Sequence, residues 1–147
     1  MKIVSSKPTI TRKDLEGVLD CMIHDELNTG SPVKTFESAV SDITTLKYPL
    51  AVNSLVSAYI LIFRALELSP DDEVIVPSFY SSAPLSAMKL TGGRPIIVDS
   101  SQSSVFPSVE QIKEKITEKT RAIILPDSCG FHAETEGLQD TGVPLIA

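Results

Sequence analysis

Four side chains able to do chemistry fall in one short stretch: Asp127, Cys129, His132 and Glu134. A thiol beside an imidazole is the pairing of a nucleophile with its base, and thiolate, imidazole and carboxylate are also metal ligands. Against both readings, the stretch offers two soft ligands only. Cys21 and Cys129 lie far apart and match no metal or redox spacing, which suits a reducing cytoplasm. No catalytic residue and no metal site is therefore assigned. Asp127, placed where an apolar run ends, is the best single candidate for polar chemistry, with a turn or cap role competing. The other histidine, His24, falls on a helical stretch and carries no chemical pattern.

Composition narrows the function classes. The 147-residue chain carries 13 Lys and Arg against 19 Asp and Glu, a formal charge of −6. Its only local basic group, Lys113, Lys115 and Lys119, is interleaved with Glu110, Glu114 and Glu118, the pattern of a solvated helix face. Nucleic acid is excluded as a partner, since binding to it relies on clustered cations. The start of the chain has no apolar core resembling a signal peptide. The greasiest run, Leu55 to Leu68, is broken by Arg64 and falls short of the ~20 residues that span a bilayer. A cytoplasmic protein without membrane contact is expected. Hydrophobic residues at 42% nevertheless hint at surface that a partner covers.

The elements come in two rhythms. Thr11 and Asp14 form a capping-box pattern ahead of a helix expected from Arg12 to Leu27, with Leu15, Val18, Leu19, Met22 and Ile23 on one stripe. Ser31-Pro32 opens a second helix with Phe36, Val40, Ile43 and Leu46 as its apolar face. Short apolar runs then follow at Leu50–Val52, Val74–Val76, Pro95–Val98, Ala122–Leu125 and Pro144–Ile146. Helical stretches separate them at Leu55–Leu68, Ala83–Leu90, Val109–Ile116 and, briefly, Glu134–Gln139. Fully apolar strands alternating with helices predict an α/β fold of three layers, a mainly parallel sheet of about five strands with helices on both faces. One domain is expected over 1–147, helical over 1–47 and built of βα repeats over 48–147.

The ordered motifs are more specific than the pattern. Tyr48-Pro49-Leu50-Ala51-Val52-Asn53-Ser54, then Pro70-Asp71-Asp72-Glu73-Val74-Ile75-Val76-Pro77-Ser78, then Gly92-Gly93-Arg94-Pro95-Ile96-Ile97-Val98-Asp99, resemble the DegT/DnrJ/StrS family. Ile116 to Ile124 continues the likeness, and Thr29-Gly30, Val33 and Phe36-Glu37 extend it upstream. The family consists of pyridoxal-phosphate-dependent aminotransferases of fold type I, mostly acting on nucleotide-linked keto-sugars.

That resemblance implies a lysine for the Schiff base, an aspartate on the pyridinium nitrogen, an aromatic side chain on the ring and helix N–H groups on the phosphate. It places the lysine and the aspartate beyond Ala147. The family's Ser-Gly-Thr phosphate turn corresponds here to Ser54-Leu55-Val56, and its stacking aromatic to Ser81, with Phe79 and Tyr80 just before. Cofactor-binding positions are thus Ser54, Leu55, Val56 and Ser81 in altered form, with Tyr80 and Asp127 as further candidates. A helix cap followed by core residues is the plainer role for Ser54-Leu55-Val56, and packing is the plainer role for Tyr80. His and Tyr before a Gly in the family become Asp127 and Cys129 before Gly130.

The expected protein is the amino-terminal half of such an enzyme's large domain, truncated, inactive alone and holding no pyridoxal phosphate by itself. Its alternatives are one chain of a split aminotransferase completed by a second polypeptide, and a non-catalytic nucleotide or nucleotide-sugar binding module. No Gly-rich dinucleotide or phosphate-loop motif supports the last. A homodimer or a complementing chain is expected to cover open strand edges, unless Leu50–Val52 pairs with Pro144–Ile146.

Overall fold

The computed structural model describes residues 7–28, 30–128 and 130–147. The chain forms two compact units, Met1–Ala51 and Val52–Ala147.

The second unit is built on four strands, β1 (Glu73–Pro77), β2 (Arg94–Val98), β3 (Thr120–Ile124) and β4 (Leu145–Ile146). They pair in the order β2-β1-β3-β4, parallel throughout. Every residue of β1 is buried, as an apolar strand covered on both faces requires. On one face lie α3 (Leu55–Ala65) and α4 (Ala83–Thr91), whose Tyr59, Phe63, Ala87 and Met88 pack with Val74, Val76, Ala122 and Ile124. On the other, Val109 and Ile112 of α5 (Val109–Lys113) and Leu138 pack with Ile75, Val98, Ile123 and Leu125. The three-layer α/β architecture is the expected one.

One expected strand is absent. Leu50–Val52 takes no strand conformation. Leu50 is exposed, and the Ala51 N–H donates to Glu37 Oε1 at 2.8 Å instead of to a ladder. A run of three apolar residues makes a strand only beside a partner, and no described strand pairs with it. The sheet therefore has four strands, and the pairing of Leu50–Val52 with Pro144–Ile146, the alternative to a covering partner, does not form. The helix expected at Glu134–Gln139 is likewise absent. Gly137 turns the chain there at φ +86°, and a single 3-10 turn, Gln139–Thr141, follows.

The first unit holds α1 (Arg12–Ile23) and α2 (Ser31–Ile43). The capping box forms: Asp14 Oδ2 accepts the Thr11 N–H at 2.7 Å, and Thr11 Oγ1 accepts the Asp14 N–H at 3.4 Å. α1 stops four residues short of the expected Leu27 because Asp25 adopts φ +56°, in the left-handed region. Neither helix buries a residue, and Leu15, Val18, Leu19 and Met22 each stay more than half exposed. Among the described residues, no helix is long and apolar enough to cross a membrane.

The amino edge of the sheet is tied by a buried carboxylate. Glu73 pairs with Arg94, its register partner on β2, and accepts the Thr117 hydroxyl at 2.7 Å. The Thr117 hydrogen bond first, then Arg94, holds the Glu73 carboxyl below its ordinary range. Asp72 is lowered by its hydrogen bonds from Ser69, and Asp99 by those from Ser78 and Ser100. Groups lowered in the folded state bind more protons when unfolded, so they stabilise the fold above the unfolded value of roughly 4 and lose that contribution as pH falls through the folded values. The urea midpoint is expected to hold from neutral pH to about 5 and to fall steeply below it, with a shallower acid limb in Glu73→Gln. Phe63→Ala, at a fully buried site, is expected to cost about 3–5 kcal/mol in the same titration.

Candidate functional site at the carboxyl edge of the sheet

From β1 the chain moves to β2 on one side, then crosses back to β3 on the other. The exits of β1 and β3 therefore diverge, and open parallel sheets bind ligands at such a switch point, outside the carboxyl ends of the strands. An open crevice of about 350 Å³ lies there, lined by Ser78, Phe79, Tyr80, Ser81 and Ser128.

Each wall has a local cause. The Ser78 N–H donates to Val98 O at 2.8 Å, carrying the β1–β2 ladder one residue past the strand. Ser78 Oγ donates to Asp99 Oδ1 at 2.8 Å, and the same oxygen accepts the Ser100 N–H at 2.8 Å. One carboxylate thus joins the exits of β1 and β2. Pro84 starts α4 within the first turn, and Ser81 Oγ accepts the Ala83 N–H at 3.2 Å.

Tyr80 faces both core and crevice. Its hydroxyl accepts from that of Tyr59 at 3.0 Å, and the rings meet edge to face at 81° with centroids 6.4 Å apart. Tyr59 is only 3% exposed, and burial first, then Tyr80, pushes its phenol upward out of the titrating range. The contact also sets the amino-terminal half of α3 beside the exit of β1. Ser54 caps that helix, Oγ accepting the Ser57 N–H at 3.1 Å. No helical carbonyl can reach the Leu55 and Val56 N–H groups, which head the helix as donors.

The residues after Ser54 differ from a simple core pair. Val56 packs against the core cluster, but Leu55 is 47% exposed. Leu55 is thus about half in solvent and lies outside that cluster, so it contributes less packing than a core leucine. Of the other expected residues, Ser81 and Tyr80 share the crevice and Asp127 stands one residue before its Ser128 wall. Asp127 Oδ2 meets His132 Nδ1 at 2.7 Å, with both side chains largely exposed. The turn between them is closed by Ser128 N–H to Phe131 O at 3.1 Å and Phe131 N–H to Ser128 O at 2.9 Å. Cys129 lies outside the described residues. Among those described, no group of three or more His, Cys, Asp or Glu could hold a metal ion.

Two features were not anticipated from the sequence: the Glu73–Arg94–Thr117 cluster and the Asp99 cross-link. Their signal was a charged residue at matching ends of successive apolar runs.

The described residues do not, by themselves, fit a Schiff-base-bound pyridoxal phosphate. The eight described lysines are all exposed, none lines the crevice, and no carboxylate lines it either. Aromatic rings and hydroxyls face it, and the helix N–H groups lack the glycine that would let a phosphate approach closely.

A doubly wound α/β half-sheet with its crevice at the switch point is the architecture of the fold-type-I pyridoxal-phosphate aminotransferases, on which it superposes. The chain belongs to the DegT/DnrJ/EryC1/StrS aminotransferase family, whose profile matches residues 8–144. It is similar to GDP-perosamine synthase of Escherichia coli O157:H7, 34% identical over 131 residues that make up 88% of this chain and 36% of that enzyme. It superposes with a TM-score of 0.81 and 33% identity on Spr1654 of Streptococcus pneumoniae, described as a sugar aminotransferase, in its PMP form, covering 84% of this chain and 31% of that one. The aminotransferase TlmJ of Streptoalloteichus hindustanus shares the fold at a TM-score of 0.82 and 24% identity, over 98% of this chain and 41% of its own. The chain thus spans about a third of the length of GDP-perosamine synthase.

Ser54→Ala is expected to destabilise the fold by about 1 kcal/mol through the lost cap. Introducing Leu55→Gly with Val56→Thr is expected to cost about 1–2 kcal/mol, because the exposed Leu55 gives up mainly helix propensity. Urea titration of the two variants checks both, and a loss above about 4 kcal/mol in the double variant would show Leu55 to be packed.

Proposed function

We propose that these residues form the amino-terminal part of the cofactor domain of a cytoplasmic pyridoxal-phosphate-dependent aminotransferase acting on a nucleotide-linked keto-sugar, and that they are not catalytic alone. The crevice carries this reading: it stands where the fold binds its ligand, yet it offers neither amine nor carboxylate. Bound cofactor would supply the electron sink of transamination. This chain's own part would be the scaffold: Asp99 fixing the floor at Ser78, Phe79 and Tyr80 forming an aromatic wall with Tyr59 holding Tyr80 from the core, and the Leu55 and Val56 N–H groups offering donors to an anion. The lysine and the aspartate would come from sequence outside these residues. A homodimer or a complementing chain is the second reading, favoured by the exposed apolar stripe of α1.

Incubation with pyridoxal phosphate, borohydride reduction and peptide mass spectrometry test the proposal. The expected outcome is scattered substoichiometric labelling of exposed lysines and no turnover of an amino donor. One lysine labelled to stoichiometry, with turnover, would overturn it.

A further inference from the structure

The turn that leaves β3 is the shared wall of three clefts. Ser128 borders the switch-point crevice. Phe131 borders a cleft of about 440 Å³ with Ser100 and Val105, and His132 one of about 140 Å³ with Ser101 and Phe106. Backbone bonds between Ser128 and Phe131 close the turn, and one side-chain contact spans its base, His132 Nδ1 to Asp127 Oδ2 at 2.7 Å.

We propose that Asp127 and His132 are a positioning pair for the crevice: the carboxylate fixes the Nδ1–H tautomer of the imidazole, and the pair holds the Ser128 and Phe131 walls in place. The importance of those walls rests on the crevice being the ligand site. The pairing itself does not, so the two stand or fall separately.

The geometry specifies how the pair acts. An acceptor at position 127 is needed, but a charge is not, because Nδ1–H donates to a neutral amide oxygen as well as to a carboxylate. Asp127 is 60% exposed and His132 84% exposed by side chain, so the contact is weak and the turn opens readily when it is lost. An orienting carboxylate also leaves Nε2 of His132 as the acceptor, turned to the medium rather than to Asp127.

Two measurements on the whole chain test this. Nitrogen-15 spectra of the imidazole at neutral pH should show the Nδ1–H tautomer in the parent and a shift toward Nε2–H in Asp127→Ala, a change that lost packing would not produce. Amide exchange at Ser128 and Phe131 should speed about two- to fivefold in Asp127→Ala and in His132→Ala, the range that an exposed pair allows. Ile123 and Ile124 should exchange as in the parent. The double variant should be no faster than either single one, and Asp127→Asn should recover most of the protection. Unchanged exchange in either alanine variant, multiplicative effects in the double variant, or an Nε2–H parent would overturn the proposal.

Discussion

Burial of β1 on both faces and both edges is the constraint from which the rest of this fold follows. With β2 on one side and β3 on the other, its backbone groups are satisfied within the ladder. Its alternate side chains then divide the core. Val74 and Val76 look toward α3 and α4, while Ile75 looks toward α5. Helices must therefore cover both faces, and the chain must cross over β1 between β2 and β3. That crossing creates the switch point, so the same pairing that hides an apolar strand also determines where the crevice opens.

Polar chemistry then sorts to the two ends of the sheet with opposite purposes. At the amino edge, Glu73, Arg94 and Thr117 satisfy one another, and Glu73 is closed to ligand. A buried charge left unpaired would be costly, so this cluster belongs to stability. At the carboxyl edge, Asp99 is spent on Ser78 and Ser100, leaving hydroxyls and rings to face the crevice. The two ends share a motif logic, a carboxylate beginning or ending an apolar run, but only the second leaves groups exposed for recognition.

Four of the strands and the caps of α1 and α3 were legible in the sequence because each rests on local information. Val74–Val76 and Ala122–Leu125 are too apolar to be anything but covered strands. Thr11 with Asp14 carries its own hydrogen-bond pattern. What was not legible depends on tertiary partners or on backbone sign. Leu50–Val52 reads as a strand but has no described neighbour to pair with, and a ladder cannot be judged from one side of it. The early stop of α1 at Asp25 and the turn at Gly137 each hinge on a positive φ, and the periodicity of the surrounding residues does not encode it. At the site, the positions of Tyr80, Ser81 and Asp127 could be counted from the motifs. That Tyr80 would bond Tyr59, and that Asp127 would find His132, required the turns themselves.

The division between scaffold and chemistry has a physical basis in how parallel sheets are assembled. Each βα step adds one strand-end loop to the carboxyl edge, so a catalytic constellation there is collected from segments far apart in sequence. The steps present here deliver loops after β1, β2 and β3, and these converge through Asp99, Ser78 and the turn at Asp127–His132. What the described residues bring to this edge is wall: the described cations are all exposed, and the Asp99 carboxylate is already bonded to Ser78 and Ser100. On the function proposed above, shape and chemistry at this edge would be supplied by different stretches of chain. The fold and the family can be established from this stretch because it holds the central ladder, the core on both faces and the ordered motifs, whereas on the proposed function the reaction would depend on groups that such an edge receives from other strand ends.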